Sequence, residues 1–380
     1  MNQKAPQRKK AVFLANALSG YFVACLNKMA EEYSIDAHII KYPVDAIAPF
    51  EFNLKNEHLT YYDRNTFTDE KLFELVQSIK PDVILCSGWI DKGYLEICKN
   101  YKGKIKTLLK FDNPWRNTTK QNLARVLGPL LLRKYFSGCW VSGIPQRVYA
   151  KKLGFKEEEI CEGMYSADVD FFHSLYKKYD DVKRKSFPKK ILYVGRYAKL
   201  KGVEELWKAF VKFQEKYPGD WELWCLGKGD LINSFPKHEK IKNFGFIQPA
   251  ELEHFVANTG VFILPAHYEH WGVVVHEYAA AGFPLICSDT TSAATAFLKD
   301  AYNGFYHKAI DADSLVEVFR KISLLTDDEL ITMAGRSAEL AKQITPTIWG
   351  GLVWKFITED KLINFRFNID AAIKPDKSYA

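Results

Sequence analysis

Short apolar runs alternate with amphipathic helical stretches along the whole chain. In the first half, runs of Val, Ile, Leu and Ala predict strands at 11–15, 37–41, 83–87, 107–111 and 139–142. In the second half, similar runs predict strands at 191–194, 221–226, 261–264 and 285–287. Because consecutive positions are apolar, these strands are expected to be buried on both faces, as in parallel sheets. The pattern therefore predicts an α/β protein with helices on both faces of each sheet.

The intervening helices are recognised by apolar residues at helical spacing. Residues 69–79 show the pattern, and helices are also predicted at 203–216, 271–281, 314–323 and 327–343. Near the N-terminus, Lys9 and Lys10 precede an apolar stretch that is similar to a signal peptide, but Asn16, Ser19 and Gly20 interrupt it. We interpret this stretch as a strand, a turn at 16–20 and a helix at 21–33, and expect a cytoplasmic chain without a membrane-spanning helix.

The length of 380 residues favours two domains of roughly 150–200 residues each. Residues 176–189 are mostly charged and polar, which predicts a linker just before the strand at 191–194. The first domain is therefore expected at 1–185 and the second at 186–349. An aromatic stretch at 349–356 begins the tail, and the sequence leaves open whether the tail at about 350–380 packs on the first domain.

Composition limits the classes of site. The seven cysteines are scattered without a Cys-x-x-Cys pair, so buried thiols in a reducing compartment are expected rather than disulfides or a zinc site. The net charge of +7 is uneven: between positions 99 and 156 there are ten Lys and four Arg against a single acid, Asp112. Within this region, 120–136 mixes leucines with Lys120, Arg125, Arg133 and Lys134.

This basic region has three interpretations. Nucleic-acid binding is the least favoured, because no recognition motif accompanies the charge. An anionic membrane surface or an acidic acceptor fits better, with the leucines partly inserted in lipid. The third interpretation is that the leucines pack in the core and the basic side chains face water.

Two constellations follow strands of the second half. Gly195 and Arg196 come directly after one strand, and Lys201 follows five residues later, where ligands of open α/β sheets bind. This arrangement suits a pyrophosphate, although a solvated basic loop has the same composition. In 265–284, Glu269 and Glu277 are separated by seven residues and flank a helix start at Gly272, whose free N–H groups favour an anion.

The second constellation resembles the Glu-x7-Glu signature of retaining family-4 glycosyltransferases with the GT-B fold. The glycines, Arg196 and Lys201 resemble the family's Gly-Arg…Lys-Gly element in spacing. Residues 226–229 are similar to its glycine turn, 244–246 to the strand beside the base, and 166–170 to the segment before its linker. The likeness covers about 160–307 in detail and the first half only in outline.

The resemblance implies a role for each matching position. Arg196 and Lys201 would hold the donor diphosphate, Glu269 would contact hydroxyls of the transferred sugar, and Glu277 would contact the ribose. The remaining donor-binding residues it implies are Gly20, Gly195, Gly227, Phe246, Gly272, Val273 and Val274, through backbone N–H groups, close backbone approach or the base-side strand.

The chain departs from the family pattern at several positions. Ala266 stands where the family commonly has Ser, Tyr278 where it has Ala, and 290–296 contains no Glu. The catalytic position of the first domain, often a His, is occupied by Asp112. Asp112 either orients the acceptor hydroxyl or caps the turn before Pro114, and the sequence leaves both open.

The resemblance implies two Rossmann-like domains with a cleft between them. It implies transfer of a hexose or related sugar from a nucleoside-diphosphate donor to a glycan or lipid-linked acceptor, with retention of configuration, in surface polysaccharide or glycan synthesis. No cofactor or metal is expected, because the Asp168–Asp170 pair resembles a turn and the Asp311–Asp313 pair precedes a helix as an N-cap. The alternatives are a nucleotide-sugar epimerase and a non-catalytic sugar-nucleotide-binding subunit. A peripheral location on the inner face of the membrane is a further expectation.

Overall fold

The computed structural model describes residues 7–43, 54–368 and 370. These residues form two compact units. The first contains the chain up to Asp168 together with Ile344–Phe367, and the second contains Val169–Gln343.

The first unit is built on a seven-stranded parallel sheet. Its strands are β1 (Lys9–Ala15), β2 (Ile35–Lys41), β3 (Leu59–Asp63), β4 (Val83–Ser87), β5 (Lys106–Phe111), β6 (Gly138–Val141) and β7 (Ile160–Cys161), in the order β3-β2-β1-β4-β5-β6-β7. Its helices are α1 (Gly20–Glu32), α2 (Asp69–Ile79), α3 (Lys92–Tyr101), α4 (Thr119–Leu131) and α5 (Ile144–Lys152). The strand order reverses between β1 and β4, which is where ligands bind in such sheets.

The second unit repeats this plan with six parallel strands. It contains α6 (Val169–Lys185), β8 (Lys190–Val194), α7 (Val203–Lys216), β9 (Glu222–Leu226), β10 (Ile241–Gly245), α8 (Leu252–Asn258), β11 (Val261–Leu264), α9 (Val273–Ala280), β12 (Leu285–Ser288), α10 (Ala294–Phe297), β13 (Gly304–His307), α11 (Ala312–Leu324) and α12 (Asp327–Ala341). The strand order is β10-β9-β8-β11-β12-β13, so the reversal lies between β8 and β11. The last helix, α13 (Pro346–Thr358), belongs to the first unit.

All nine predicted strands are confirmed, and the predicted α/β class with them. The four others are β3, β7, β10 and β13, of which β10 was anticipated only through 244–246. These four are the edge strands of the two sheets. An edge strand is covered less completely, so its sequence is less uniformly apolar: β3 and β10 each have one fully buried residue in five.

The linker predicted at 176–189 is wrong over most of its length. Residues 176–185 continue α6, which buries Val169, Phe172 and Leu175 on one face. Apart from the buried Lys183, its charged residues lie on the other face, where Arg184 Nε and Asp180 Oδ2 are 2.7 Å apart. The exposed face of an amphipathic helix thus has the composition of a linker, and the units divide at Asp168 rather than at 185.

The aromatic stretch of the tail forms α13, which packs on α1. Trp349 stacks on Phe13 with ring centroids 5.9 Å apart, and its Nε1 donates to Met164 O at 2.9 Å. Gly350 has no side chain, which lets α13 approach α1 closely, since a Cβ there would lie 3.0 Å from Met29 Cα. The first unit thus includes 344–367, while 371–380 of the predicted tail lie outside the described residues.

The N-terminal stretch forms β1 and α1 as predicted, with Ser19 as the N-cap of α1. All seven cysteines are buried and free. The predicted burial of the thiols is confirmed. Burial disfavours the thiolate, and it raises the pKa of Cys225 to about 12. Within the described ranges, each helix is too short or too polar to cross a lipid bilayer.

Candidate functional site

The loops that follow β8 and β9 bring Gly195 and Gly227 into direct backbone contact. Gly227 N donates to Gly245 O at 2.7 Å, and Gly195 N donates to Leu226 O at 3.0 Å. A Cβ at Gly227 would lie 1.9 Å from Gly195 O, so no other residue fits without moving the backbone. The glycines therefore allow the two loops to lie against each other at the carboxyl edge of the sheet.

Lys201 and Glu269 form an ion pair on this edge. Lys201 ends a short 3-10 turn before α7, and His267 N donates to Leu200 O at 3.0 Å, which holds the two loops together. The Lys201 ammonium then pairs with Glu269 Oε2, with side chains 24% and 15% exposed. The structure thus joins two residues that lie 68 positions apart in the sequence. The Lys201 ammonium and the Glu269 carboxylate are both partly exposed, so a ligand can reach them. Their charges neutralise each other.

Arg196 lies at the end of β8 on the same edge of the sheet. Its backbone oxygen accepts a hydrogen bond from Tyr193 Oη at 2.9 Å, which fixes the turn, while its side chain is exposed. Within the part of the chain that the structure describes, no carboxylate pairs with its guanidinium. Arg196 therefore adds a positive charge to this edge, next to the neutral Lys201–Glu269 pair.

Gly272, Val273 and Val274 form the start of α9. Gly272 is the N-cap in the left-handed region, with φ of +92°, which favours glycine. Its carbonyl accepts from Val275 N at 3.0 Å, while the first N–H groups of a helix have no partner within the helix. Val273, Val274 and Glu277 are the half-exposed residues of α9. Their spacing places the Glu277 carboxylate on the same side as this helix start.

The departures from the family pattern lie on buried surfaces. Tyr278 stacks on Phe262 with ring centroids 4.4 Å apart, on the inward face of α9. The carbonyl oxygen of Ala266 accepts from Ser288 Oγ at 2.6 Å. In the loop without a Glu, Ser292 N donates to Glu269 O at 3.4 Å, so this loop supports the backbone of Glu269.

Phe246 follows β10 and is half-buried. The Lys228 ammonium lies over its ring, 5.4 Å from the centroid. Phe246 therefore lies beside the glycine turn at Gly227. An aromatic ring at this edge offers a flat surface for a nucleotide base.

The structure thus gathers ten predicted residues at one edge of the second unit. They are Gly195, Arg196, Lys201, Gly227, Phe246, Glu269, Gly272, Val273, Val274 and Glu277. The roles that the resemblance implies for them stay predictions. Asp311 is confirmed as the N-cap of α11, since its Oδ1 accepts from Ser314 N at 2.9 Å.

The two remaining predicted residues, Gly20 and Asp112, belong to the first unit. Gly20 is the first residue of α1, and the loop before it and Asp112 both line a cavity of about 350 Å³. Tyr165 Oη donates to Asp112 Oδ2 at 3.4 Å, and Gln146 Nε2 donates to Asp112 O at 2.8 Å. Burial, then the charge of Asp112, raises the pKa of Tyr165 well above its usual value, so the phenol stays a donor.

The sequence reasoning missed several residues of this cavity. Its walls also carry Lys110 and the aromatic side chains of Tyr21, Phe22, Trp89, Tyr165 and Trp349. A signal for Lys110 was present, because it is a charged residue inside the apolar strand at 107–111. Trp349 gave no such signal, since only the packing of α13 brings it to this place.

Comparisons with known proteins are consistent with this site. Residues 177–340 match the model of the family Glycosyl transferases group 1. Glycogen synthase of Mycobacterium tuberculosis is 34% identical over 109 residues, which are 27% of this chain and 26% of that protein. These matches support a glycosyltransferase family. Alpha-monoglucosyldiacylglycerol synthase of Acholeplasma laidlawii is 25% identical over 294 residues, 70% of this chain and 72% of that protein.

The structural comparison concerns the fold. HepE of Anabaena, solved in complex with UDP, superposes with a TM-score of 0.69 at 14% identity, covering 92% of this chain and 99% of HepE. The fold of the two Rossmann-like units is the fold of GT-B glycosyltransferases of known structure, so the predicted fold class is confirmed. The segment at 177–340 that matches this family model contains all ten gathered residues. This chain spans about a quarter of the length of the glycogen synthase that it matches.

Proposed function

We propose that this chain is a retaining glycosyltransferase that uses a nucleoside-diphosphate sugar and transfers a hexose to an acceptor hydroxyl. The observation that carries the proposal is the Lys201–Glu269 pair, with Arg196 on the same edge and the start of α9 beside it. The edge combines groups that attract a diphosphate with a carboxylate that accepts from sugar hydroxyls. HepE, which shares this fold, was solved with UDP.

In the proposed reaction, the bond between C1 of the sugar and the phosphate oxygen breaks, and the electron pair leaves with the diphosphate. The acceptor oxygen bonds to C1 on the same face, and its proton passes to the leaving phosphate. Arg196, Lys201 and the N–H groups of α9 stabilise the negative charge that grows on the diphosphate. Glu269 orients the sugar and Glu277 holds the ribose. No step in this scheme uses a metal ion.

The test is turnover by the purified chain with uridine, guanosine and adenosine diphosphate sugars. Arg196→Ala and Lys201→Met should each lower kcat by ~10²-fold, corresponding to about 3 kcal/mol of lost transition-state stabilisation. Lys199→Ala, an exposed lysine on the same turn, is the matched control and should keep the wild-type rate. Activity should survive excess EDTA; loss that magnesium or manganese restores would contradict the metal-free scheme.

The same experiment separates the alternatives. An epimerase would convert the donor sugar without releasing nucleotide, and a non-catalytic subunit would bind the nucleotide without turnover. Release of a nucleoside diphosphate together with a glycosylated acceptor would support the transferase.

We further propose that α4 docks on an anionic membrane surface, which would give access to a lipid-linked acceptor. Of the five leucines in 120–136, Leu132 packs in the core, but the four leucines of α4 are exposed, so the core-packing interpretation of the basic region does not hold for α4. The exposed apolar residues of α4 are Leu123 (61%), Val126 (70%), Leu127 (42%), Leu130 (73%) and Leu131 (46%). Their spacing of three and four residues forms one continuous apolar face.

The inward side of α4 consists of small residues. Gly128 is its fully buried position, where a Cβ would meet Leu153 at 3.1 Å, and Pro129 packs against Gly154. The large apolar side chains of α4 therefore face the solvent, whereas an ordinary surface helix turns such side chains toward the core. Lys120, Arg125 and Lys134 are exposed around this face. An apolar face with basic neighbours fits the interface of an anionic bilayer.

Arg133 has a different position from the one that the sequence predicts. Its guanidinium binds Glu159 through two hydrogen bonds of 2.7 and 3.1 Å and also donates to Gly154 O. It therefore belongs to a network within the first unit and is not part of the proposed docking surface.

A further inference from the structure

Lys110 is a buried lysine on the wall of the cavity in the first unit. It is 7% exposed, and its ammonium lies near the rings of Phe22, Phe13 and Trp140, at 4.8, 5.5 and 5.6 Å from their centroids. The groups that attract its charge are the thiols of Cys25 and Cys86, which are weak partners. In 7–43 and 54–368, no carboxylate forms an ion pair with it. Lys110 is thus an almost uncompensated cation.

Such a charge is unfavourable for folding. Removing an ammonium from water costs free energy that aromatic faces offset only in part. Accordingly, desolvation lowers the pKa of Lys110 to about 8, despite the nearby thiols. A methionine would fill the same space without this cost. The charge therefore needs a partner that the chain itself does not supply.

The position of Lys110 shows where such a partner would lie. Lys110 lies in β5, and Asp112 is the first residue after the end of this strand. Both line the cavity, with Trp89, Tyr21 and Trp349 among its walls. A positive group, a carboxylate and aromatic faces thus surround one volume of about 350 Å³. Aromatic faces can pack against a sugar ring or an isoprenoid chain, and a carboxylate can accept hydrogen bonds from sugar hydroxyls. The lysine can bind an anion.

We propose that this cavity binds an acceptor that carries a phosphate or diphosphate group, and that Lys110 holds the phosphate. The inference rests on the proposed function, because it names the class of acceptor for that reaction. A phosphate oxygen would supply the negative charge that Lys110 lacks, and lysine binds phosphate as a point charge. Asp112 would accept a hydrogen bond from a hydroxyl of the same ligand. The phosphate can belong to a sugar phosphate or to an isoprenoid diphosphate.

The test is calorimetric titration of the full chain with α-D-glucose 1-phosphate and with farnesyl diphosphate. Glucose and farnesol serve as their uncharged counterparts. Lys110→Met should weaken binding of the phosphate ligand by at least tenfold, as expected for loss of a charge-assisted hydrogen bond. Lys110→Arg, which keeps the charge, should retain most of the affinity. The tighter of the two ligands identifies the source of the phosphate.

Lys183→Met is the matched control. Lys183 is likewise buried on an aromatic ring, 4.1 Å from the centroid of Phe283, but it belongs to the second unit and does not line this cavity. Its replacement should leave phosphate binding unchanged. Equal weakening by both variants would mean a general structural effect and would overturn the inference.

A further arm separates this site from the donor site. The nucleoside diphosphate that binds most tightly should keep its affinity in Lys110→Met and lose it in Lys201→Met. If Lys110→Met weakens the nucleotide instead, or if glucose binds as well as glucose 1-phosphate, the assignment of Lys110 is wrong. If no nucleotide binds the wild type, the proposed function fails, while phosphate binding that depends on Lys110 would still support the cavity assignment.

Discussion

Glu269 and Glu277 belong to the same motif, but the structure gives them different surroundings. Glu269 is paired with Lys201 and held at its backbone by Ser292, whereas Glu277 lies on a half-exposed face of α9. A carboxylate that is already paired is fixed in position, which suits a group that orients a reacting sugar. A carboxylate one turn into a helix suits the ribose of a nucleotide bound at the helix start.

This difference predicts a separation of kinetic effects. Glu277→Gln should weaken nucleotide binding, measured as Kd by titration, while kcat changes little. Glu269→Gln should mainly lower kcat, because it removes the negative charge proposed to orient the sugar and leaves the Lys201 ammonium without its ion-pair partner. Steady-state kinetics with the preferred donor gives both values. Wild-type rates in both variants would mean that these residues are not in the donor site.

Lys110 gives a prediction on stability that is independent of any ligand. Its pKa is lowered from 10.5 to about 8, so between these values the unfolded chain binds more protons and stability rises with pH. At neutral pH the full penalty is present, about 3 kcal/mol for a shift of this size. Lys110→Met should therefore be more stable than the wild type at pH 7, and the difference should shrink as the pH rises from 8 to 10.5.

Urea unfolding at pH 7, 8.5 and 9.5 measures this difference. A gain that is the same at all three values would mean that packing, and not charge, causes it. A gain in stability together with a loss of phosphate binding is the pattern expected when a residue is kept for function at a cost in stability.

Among the elements, α4 differs most from the expectation for a helix of a globular protein. Its large apolar side chains are exposed, and a helix normally turns these toward the core. The elements around the proposed donor site behave in the ordinary way: α9 buries Val275, Tyr278 and Ala279, and its more exposed side carries the residues proposed to bind the donor. Because of this contrast, we propose that the exposed apolar face of α4 docks on a membrane surface.

The prediction for α4 is binding to phosphatidylglycerol vesicles in a co-sedimentation assay. Binding is expected at low salt and should weaken at high salt, since each basic residue near an anionic leaflet contributes ~1 kcal/mol within a Debye length. Replacing Lys120, Arg125 and Lys134 together with Glu should abolish it, and Leu123→Ser with Leu130→Ser should weaken it at any salt.

Val182→Ser is the control, because Val182 is 58% exposed on α6 in the second unit. It should sediment with vesicles like the wild type. If the wild type stays in the supernatant at low ionic strength, the docking proposal fails and a water-soluble acceptor is favoured.

For the whole molecule, the sequence by itself determined the number of units and the parallel sheets, and its resemblance to a known family singled out the ten residues at the edge of the second unit that is proposed to bind the donor. It could do so because buried central strands need continuous apolar runs, and because close backbone approach at Gly227 and a left-handed N-cap at Gly272 require glycine. These are local requirements, and the order of residues displays them directly.

Tertiary structure decided the rest. The edge strands, the unit boundary within the apparent linker and the place of α13 depend on which surfaces are covered, and composition does not record that. The same holds for Lys110 and for the leucines of α4: the sequence shows a lysine in an apolar strand and leucines in a helix, but not which side faces a cavity or the solvent. The burial of a side chain is set by distant segments, and for this reason the most informative residues of the first unit emerged only from the fold.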